Sequence, residues 1–210
     1  MNKNLNQKFL IYFLSLLLCF IIILLSSYIV VYDKYFYNNQ FIKNDIYQKF
    51  DNQSHATLLV HNLLDYFSNE SYLIDVYSPK ETKHLRDVKE LINNLQTLFF
   101  ILLFVFIFSL MFIKNDIYEN LSRIFIYAFY ILLAIILLLY LFSFFSFDFL
   151  FDNFHKFLFT DDSWILSNDS LLISLFPISF FFDAFKRILI ISLIFGFSLF
   201  LSGKLLRKRI

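Results

Sequence analysis

The chain has 210 residues, 59% of them apolar, with mean hydropathy +0.66 and a formal net charge of +1. A soluble domain is usually about 45–50% apolar, so this composition points to a membrane protein. The near-zero charge excludes the broad basic field that nucleic-acid binding needs. A single cysteine, Cys19, excludes an internal disulfide and any Cys/His zinc spacing.

Four apolar stretches are long enough to cross about 30 Å of hydrocarbon, which takes about 20 helical residues. They run over residues 9–32, 98–113, 124–147 and 188–202, and the second and fourth draw on their flanks to reach full length. The first resembles a signal peptide in position only. It is longer than a cleavable h-region and leaves through SSYIVVYDKYF without a small-residue cleavage site, so it reads as an uncleaved helix. Cys19 lies inside it and reads as a small buried apolar residue.

The connection over residues 33–97 is too long for a passive loop. Leu59, Leu63 and Phe67 recur at i, i+4 and i+8, which predicts an amphipathic helix lying on the membrane surface or on the bundle. Further on, Ser78-Pro79-Lys80-Glu81 supplies Ser at N-cap, Pro at N1 and Glu at N3, a capping box that starts a helix at Pro79. Leu85, Val88, Ile92 and Leu95 form its apolar stripe, bordered by His84. Asp87 follows His84 at i+3 and is expected to hydrogen-bond one ring nitrogen and fix the tautomer. Run straight, the helix would carry His84 about 20 Å beyond Thr97, so a bend near Asn93-Asn94 is expected.

The connection over residues 148–187 contains FDFLFDNFHKFLFTDDSW, rich in Phe and ending in Trp164. Such a segment suits headgroup depth, and it places His155 in an apolar setting that favours the neutral ring. Asn168-Asp169-Ser170 can cap a short helix, LLISLF, that Pro177 ends.

Lys3 and Lys8, Lys114 and Arg123, and Lys204, Arg207, Lys208 and Arg209 cluster at three brief segments. By the positive-inside rule these are cytoplasmic. The two long connections are then exoplasmic, with Lys186 and Arg187 running against the rule. The fold class is therefore an all-α membrane protein, a single domain over residues 1–210, with four transmembrane helices, N-in/C-in, and amphipathic helices in the outer connections.

Of the four histidines, His55 and His61 read as surface or packing residues. His84 and His155 face the same lipid–water boundary, and the residues alone leave both packing and proton handling open. No H-E-x-x-H and no two histidines at i,i+4 are present, so no metal site is expected. Nucleophile elbows and Gly-rich phosphate loops are missing as well, with Gly196 and Gly203 the only glycines. The spans carry almost no ionisable groups, which disfavours an ion pathway.

Two runs carry a resemblance. Tyr77-Ser78, Glu81, His84-Leu85 and Asp87-Val88-Lys89 form one block; Phe154-His155, Phe159, Trp164, Leu172-Ile173, Phe176-Pro177 and Phe181-Phe182 form the other. Together they resemble a family of small four-span bacterial membrane proteins that includes the lipoprotein intramolecular transacylase Lit, with Leu158 where an aromatic is common. The resemblance covers nearly the whole chain. It implies a bacterial cytoplasmic-membrane acyltransferase with its active site on the exoplasmic face, acting on diacylglyceryl-modified lipoproteins and membrane lipid with no cofactor. It also implies transfer of one acyl chain from glycerol to the cysteine α-amine, with His84 and His155 as catalytic residues and Asp87 and Trp164 in support. Donor and acceptor then belong to one molecule, so the enzyme needs a base and an oxyanion or acid partner but no nucleophile. His155 is assigned as base and His84 as partner, with the reverse assignment left open. A non-enzymatic lipid-binding scaffold of the same fold and a metal-dependent membrane hydrolase are the alternatives. Oligomeric state is not legible.

Overall fold

A computed structural model describes residues 3–50, 53–113 and 116–208 of the chain. Lys114 and Arg209, and the side chain of Lys3, lie outside the described residues. The described residues are helical with short connections: α1 (Lys3–Val31), α2 (Lys34–Lys43), α3 (Ile46–Lys49), α4 (Gln53–Phe67), α5 (Pro79–Leu110), α6 (Ile117–Leu158), a 3-10 turn (Asp162–Trp164), α7 (Leu171–Leu175) and α8 (Ile178–Arg207). Among them α1, α5, α6 and α8 are long and apolar enough to cross a membrane, and they contain the third and fourth apolar stretches whole and most of the first two, which end past Val31 and Leu110. The chain divides into two compact units.

The first unit comprises Met1–Tyr28, Gln96–Phe144 and Lys186–Ile210, the most apolar parts of the four long helices. Lipid tails are as apolar as leucine, so helix association here depends on close backbone approach and on hydrogen bonds between helices. Small residues provide both. Ser15 Oγ donates to the Ile124 carbonyl at 3.2 Å and Cys19 Sγ to the Ala128 carbonyl at 3.1 Å, which joins α1 to α6. Ser122 Oγ donates to the Gly203 carbonyl at 2.8 Å, which joins α6 to α8. A Cβ on Gly203 would stand 3.0 Å from the Ser122 carbonyl oxygen, so glycine lets these two backbones meet. Phe100, Phe104, Ile107 and Phe108 of α5 are exposed, as lipid-facing side chains should be.

The second unit comprises Ile29–Leu95 and Phe145–Phe185. Leu59, Leu63 and Phe67 of α4 are all buried, as the period of four predicts. Leu59, Val60 and Leu64 pack with Phe41 of α2, Ile46 of α3 and Leu175 of α7. Leu63 and Phe67 pack with Tyr77, Leu85 and Leu172. Asn69 then ends α4 in the left-handed region, φ 64°. Both glycines sit in α8, so this helix terminus uses asparagine, the next most tolerant residue there.

Helix α5 starts at Pro79 as the capping box requires. The Glu81 carboxylate accepts from the Ser78 N–H at 2.8 Å, and the Glu81 N–H donates to Ser78 Oγ at 3.3 Å. Leu85 is buried, whereas Leu95 at the end of the expected stripe is exposed. The bend expected near Asn93-Asn94 does not occur, and α5 is continuous helix through both residues. The break falls in α6 instead. Ser146 adopts φ −164°, ψ 92°, and its Oγ accepts from the Phe149 N–H at 3.3 Å, so it caps a fresh helical segment over 147–158. Asparagine within a helix costs only a few tenths of a kcal/mol, while a serine followed by a donor three residues on offers a real alternative to the helical bond. Ser170 likewise caps α7, and Pro177 follows its end.

Candidate active site

His84 and His155 lie 71 positions apart and meet within the second unit, their ring centroids 6.2 Å apart. His84 sits in the second turn of α5, where the Ser78 cap sets its direction. His155 sits on the segment that Ser146 restarts. Residues Phe151, His155 and Phe159 follow at i, i+4 and i+8, so both phenylalanines flank the ring, at 4.1 and 5.6 Å between centroids. Trp164, on the 3-10 turn, covers it at 5.1 Å, and Phe159 also meets the His84 ring at 5.2 Å.

The cage decides protonation. His155 Nδ1 lies 2.7 Å from the Phe151 carbonyl oxygen. A carbonyl accepts and never donates, so Nδ1 carries the hydrogen and Nε2 is the basic nitrogen. Burial lowers the His155 pKa, against the Phe151 hydrogen bond and the Asp152 charge, which raise it. His84 is lowered to about 4, first by burial and then by His155, against upward pulls from Asp87 and Asp161. These two groups stand in the polar segments outside the apolar stretches, and both rings are neutral at pH 7.

Asp87 behaves differently from the expectation. It accepts a hydrogen bond from Ser163 Oγ at 2.8 Å, while His84 Nδ1 is buried with no hydrogen-bond partner. Its influence on His84 is thus the field of its charge. The same helical turns carry further links to the 161–172 segment. Lys80 Nζ donates to the Ile165 carbonyl at 2.5 Å, Lys83 pairs with Asp161 at 2.6 Å, and Glu81 accepts from the Leu172 N–H at 2.9 Å. The Ser163 N–H also donates to the Asp161 carboxylate, which caps the turn that bears Trp164.

His55 and His61 are both exposed. His61 lines a cleft of about 650 Å³ along α4 with Asn62 and Asp65. Among the described residues no three His, Cys, Asp or Glu side chains converge as metal ligands would. Phe159 belongs to the second sequence block, whereas Phe151 has only its i−4 spacing from His155 as a signal. The Asp87–Ser163 and Glu81–Leu172 bonds have no sequence signal, because both join residues more than 70 positions apart.

The site can therefore hold one imidazole with a free basic nitrogen beside a second, neutral imidazole, in surroundings where both resist protonation. It suits proton transfer and oxyanion binding, and the nearby Ser163 hydroxyl is bound to the Asp87 carboxylate.

Comparison with known proteins identifies the family and the fold. The family described as "Lipoprotein intramolecular transacylase Lit" matches residues 12–181. The structure of the membrane-integral Lit from Bacillus cereus superposes with a TM-score of 0.86 at 19% identity, over 99% of this chain and 98% of that one. Two variants of that protein, with a histidine replaced by alanine or by arginine, superpose at TM-score 0.78 and 21% identity, each over 99% of this chain, and over 96% and 94% of theirs. No curated protein matches the chain. The chain, an all-α membrane-integral protein, belongs to the lipoprotein intramolecular transacylase Lit family.

Proposed function

We propose that His84 and His155 transfer one acyl chain of a diacylglyceryl-modified N-terminal cysteine from the glycerol oxygen to the α-amine of the same cysteine. Family membership makes the chain an acyltransferase, a lipoprotein intramolecular transacylase. The observation that carries the residue assignment is the meeting of the two histidines, 6.2 Å apart, in an aromatic cage.

The substrate α-amine loses its ammonium proton near pH 8. Its nitrogen attacks the ester carbonyl, and the N–C bond forms as the carbonyl oxygen takes up charge. His155 Nε2 removes a proton from that nitrogen and returns it to the glycerol oxygen as the C–O bond breaks, so protons balance within the pair of products. His84, kept neutral, donates a hydrogen bond to the oxyanion. A buried nitrogen without a partner costs about 1–3 kcal/mol, and His84 Nδ1 is such an atom; a substrate contact there recovers that cost. An aligned intramolecular attack has an effective molarity of roughly 10⁵ M or more, which removes the need for a covalent acyl-enzyme. Asp87 and Trp164 support the pair, Asp87 through its charge and its bond to Ser163, Trp164 by covering His155.

The chain works as one membrane-integral domain, residues 1–210, in a bacterial cytoplasmic membrane. Lys8, Arg123, Arg207 and Lys208 mark the cytoplasmic ends, and the histidine pair faces the exoplasmic side. Phe149, Phe154 and Phe157 are exposed around His155, which suits headgroup depth and contact with acyl chains.

Expression in cells that make only diacylglyceryl lipoproteins, followed by mass spectrometry of the N-terminal lipopeptide, tests the reading. One acyl group on the α-amine and one left on glycerol is the expected product. His84→Ala or His155→Ala should abolish it, and His55→Ala should not. Unchanged lipopeptide from well-expressed protein excludes the reaction and returns the scaffold alternative, while loss of activity with a chelator returns the metal-dependent one.

A further inference from the structure

Glu81 stands apart from the other charged residues of the second unit. It is only 3% exposed, and both carboxylate oxygens accept backbone N–H bonds, Oε2 from Ser78 at 2.8 Å and Oε1 from Leu172 at 2.9 Å. Two acceptors with no proton between them fit the ionised carboxylate. A capping box needs only the first bond and works at an exposed helix end. Burying a carboxylate costs several kcal/mol unless every lone pair finds a partner, which is a high cost for a cap alone.

The second bond reaches across 91 positions to the first turn of α7, where Leu172 belongs to the same apolar cluster as Leu85 and Tyr77. On one side of Glu81, three positions on, is His84. On the other side, eight positions before Leu172, is Trp164, in tilted ring contact with His155. One other link between these segments is weaker. The Lys83–Asp161 pair has side chains 56% and 40% exposed, and exposed pairs contribute about 0–1 kcal/mol.

We propose that Glu81 is a positioning residue for the histidine pair. Its two oxygens tie the N-terminus of α5 to that of α7, and this holds His84 at its distance from the Trp164–His155 ring pair. The proposal rests on the transacylase reading for its kinetic consequence but not for its geometry.

Trp164 is the single tryptophan, and a protonated imidazole in contact with an indole quenches it, so its fluorescence titrates with His155. The groups that face this pair are Asp152 on α6, His84 and Asp87 on α5, and Asp161 before the turn. The test compares wild type, Ser78→Ala, Glu81→Asp and Glu81→Gln in detergent or bilayers. Glu81→Gln keeps the shape but sets an amide N–H against one backbone donor. It should lower kcat about tenfold or more with KM within twofold, and at least halve the amplitude of the Trp164 titration. Glu81→Asp, which keeps both acceptors, should recover part of each. Ser78→Ala loses only the cap bond and should keep the wild-type titration. A role in capping alone predicts equal effects from Ser78→Ala and Glu81→Gln, and that result overturns the proposal. So does a wild-type titration in folded Glu81→Gln. Should Glu81→Gln not fold, amide hydrogen exchange on the wild-type protein decides. A Leu172 N–H as protected as the α5 amides supports the clamp, and one exchanging like exposed Asp169 overturns it. The titration and the exchange use no substrate, so they stand even if no acyl transfer is detected.

Discussion

The Nδ1–H of His155 is committed to the Phe151 carbonyl, and this one bond decides which nitrogen is the base. The surrounding rings decide when it is available. Burial lowers both histidine pKa values, His84 to about 4, so the acid limb of the reaction lies below the ordinary histidine value of about 6.5. The substrate amine must lose a proton near pH 8. The kcat/KM profile should therefore rise with pH up to about 8, following the amine, with no step near 6.5; a step at 6.5 would contradict the lowered histidine values. Stability should titrate too. A histidine with a lowered folded pKa binds fewer protons in the folded than in the unfolded state between those two values. Its stabilising contribution is complete above about pH 6.5 and is lost as pH falls toward 4. Thermal unfolding of the wild type should shift to lower temperature from pH 7 to pH 4.5, and His84→Gln should shift less. The neutral state of His155 was legible in the Phe-rich run around it, whereas that of His84 was not. The partner of Asp87 was not, because Ser163 approaches from a distant part of the chain.

At the scale of the element, local chemistry determined where helices begin. Ser78 and Glu81 form the expected box, Ser170 caps α7, and the apolar period of α4 is buried as drawn. The misplaced bend is instructive. Asn93-Asn94 looked like a weak point, yet α5 passes through it, and α6 breaks at Ser146. A helix breaks where an alternative hydrogen bond is on offer, and Ser146 Oγ has the Phe149 N–H within reach. In the apolar unit the small residues matter most. A Cβ at Gly203 meets backbone, 3.0 Å from the Ser122 carbonyl oxygen, whereas at Gly196 it meets, at 2.7 Å, the terminal methyl of the Leu132 side chain, which can shift without moving the backbone. Gly203→Ala should therefore cost about 1–3 kcal/mol and lower the unfolding temperature in detergent more than Gly196→Ala does. Equal shifts would mean that the α6–α8 contact relaxes freely.

For the whole molecule, the distribution of Lys and Arg predicts N-in/C-in, and Cys19 makes this simple to test because the only native thiol is buried. Replacing Cys19 is unnecessary. A cysteine introduced at Tyr72, which is 95% exposed, should label with an impermeant maleimide on intact cells. One at Lys208 should label only after permeabilisation, and the reverse pattern would invert the topology. The amino-acid sequence alone determined the membrane class, the four apolar helices and the helix starts, because hydropathy and capping act between neighbours in the chain. Only the tertiary structure decided that His84 and His155 share a cage, that Asp87 serves Ser163, and that Glu81 joins α5 to α7. Each of these depends on contacts between residues more than 70 positions apart, and no local pattern encodes which of many polar groups will meet once the apolar surfaces have packed.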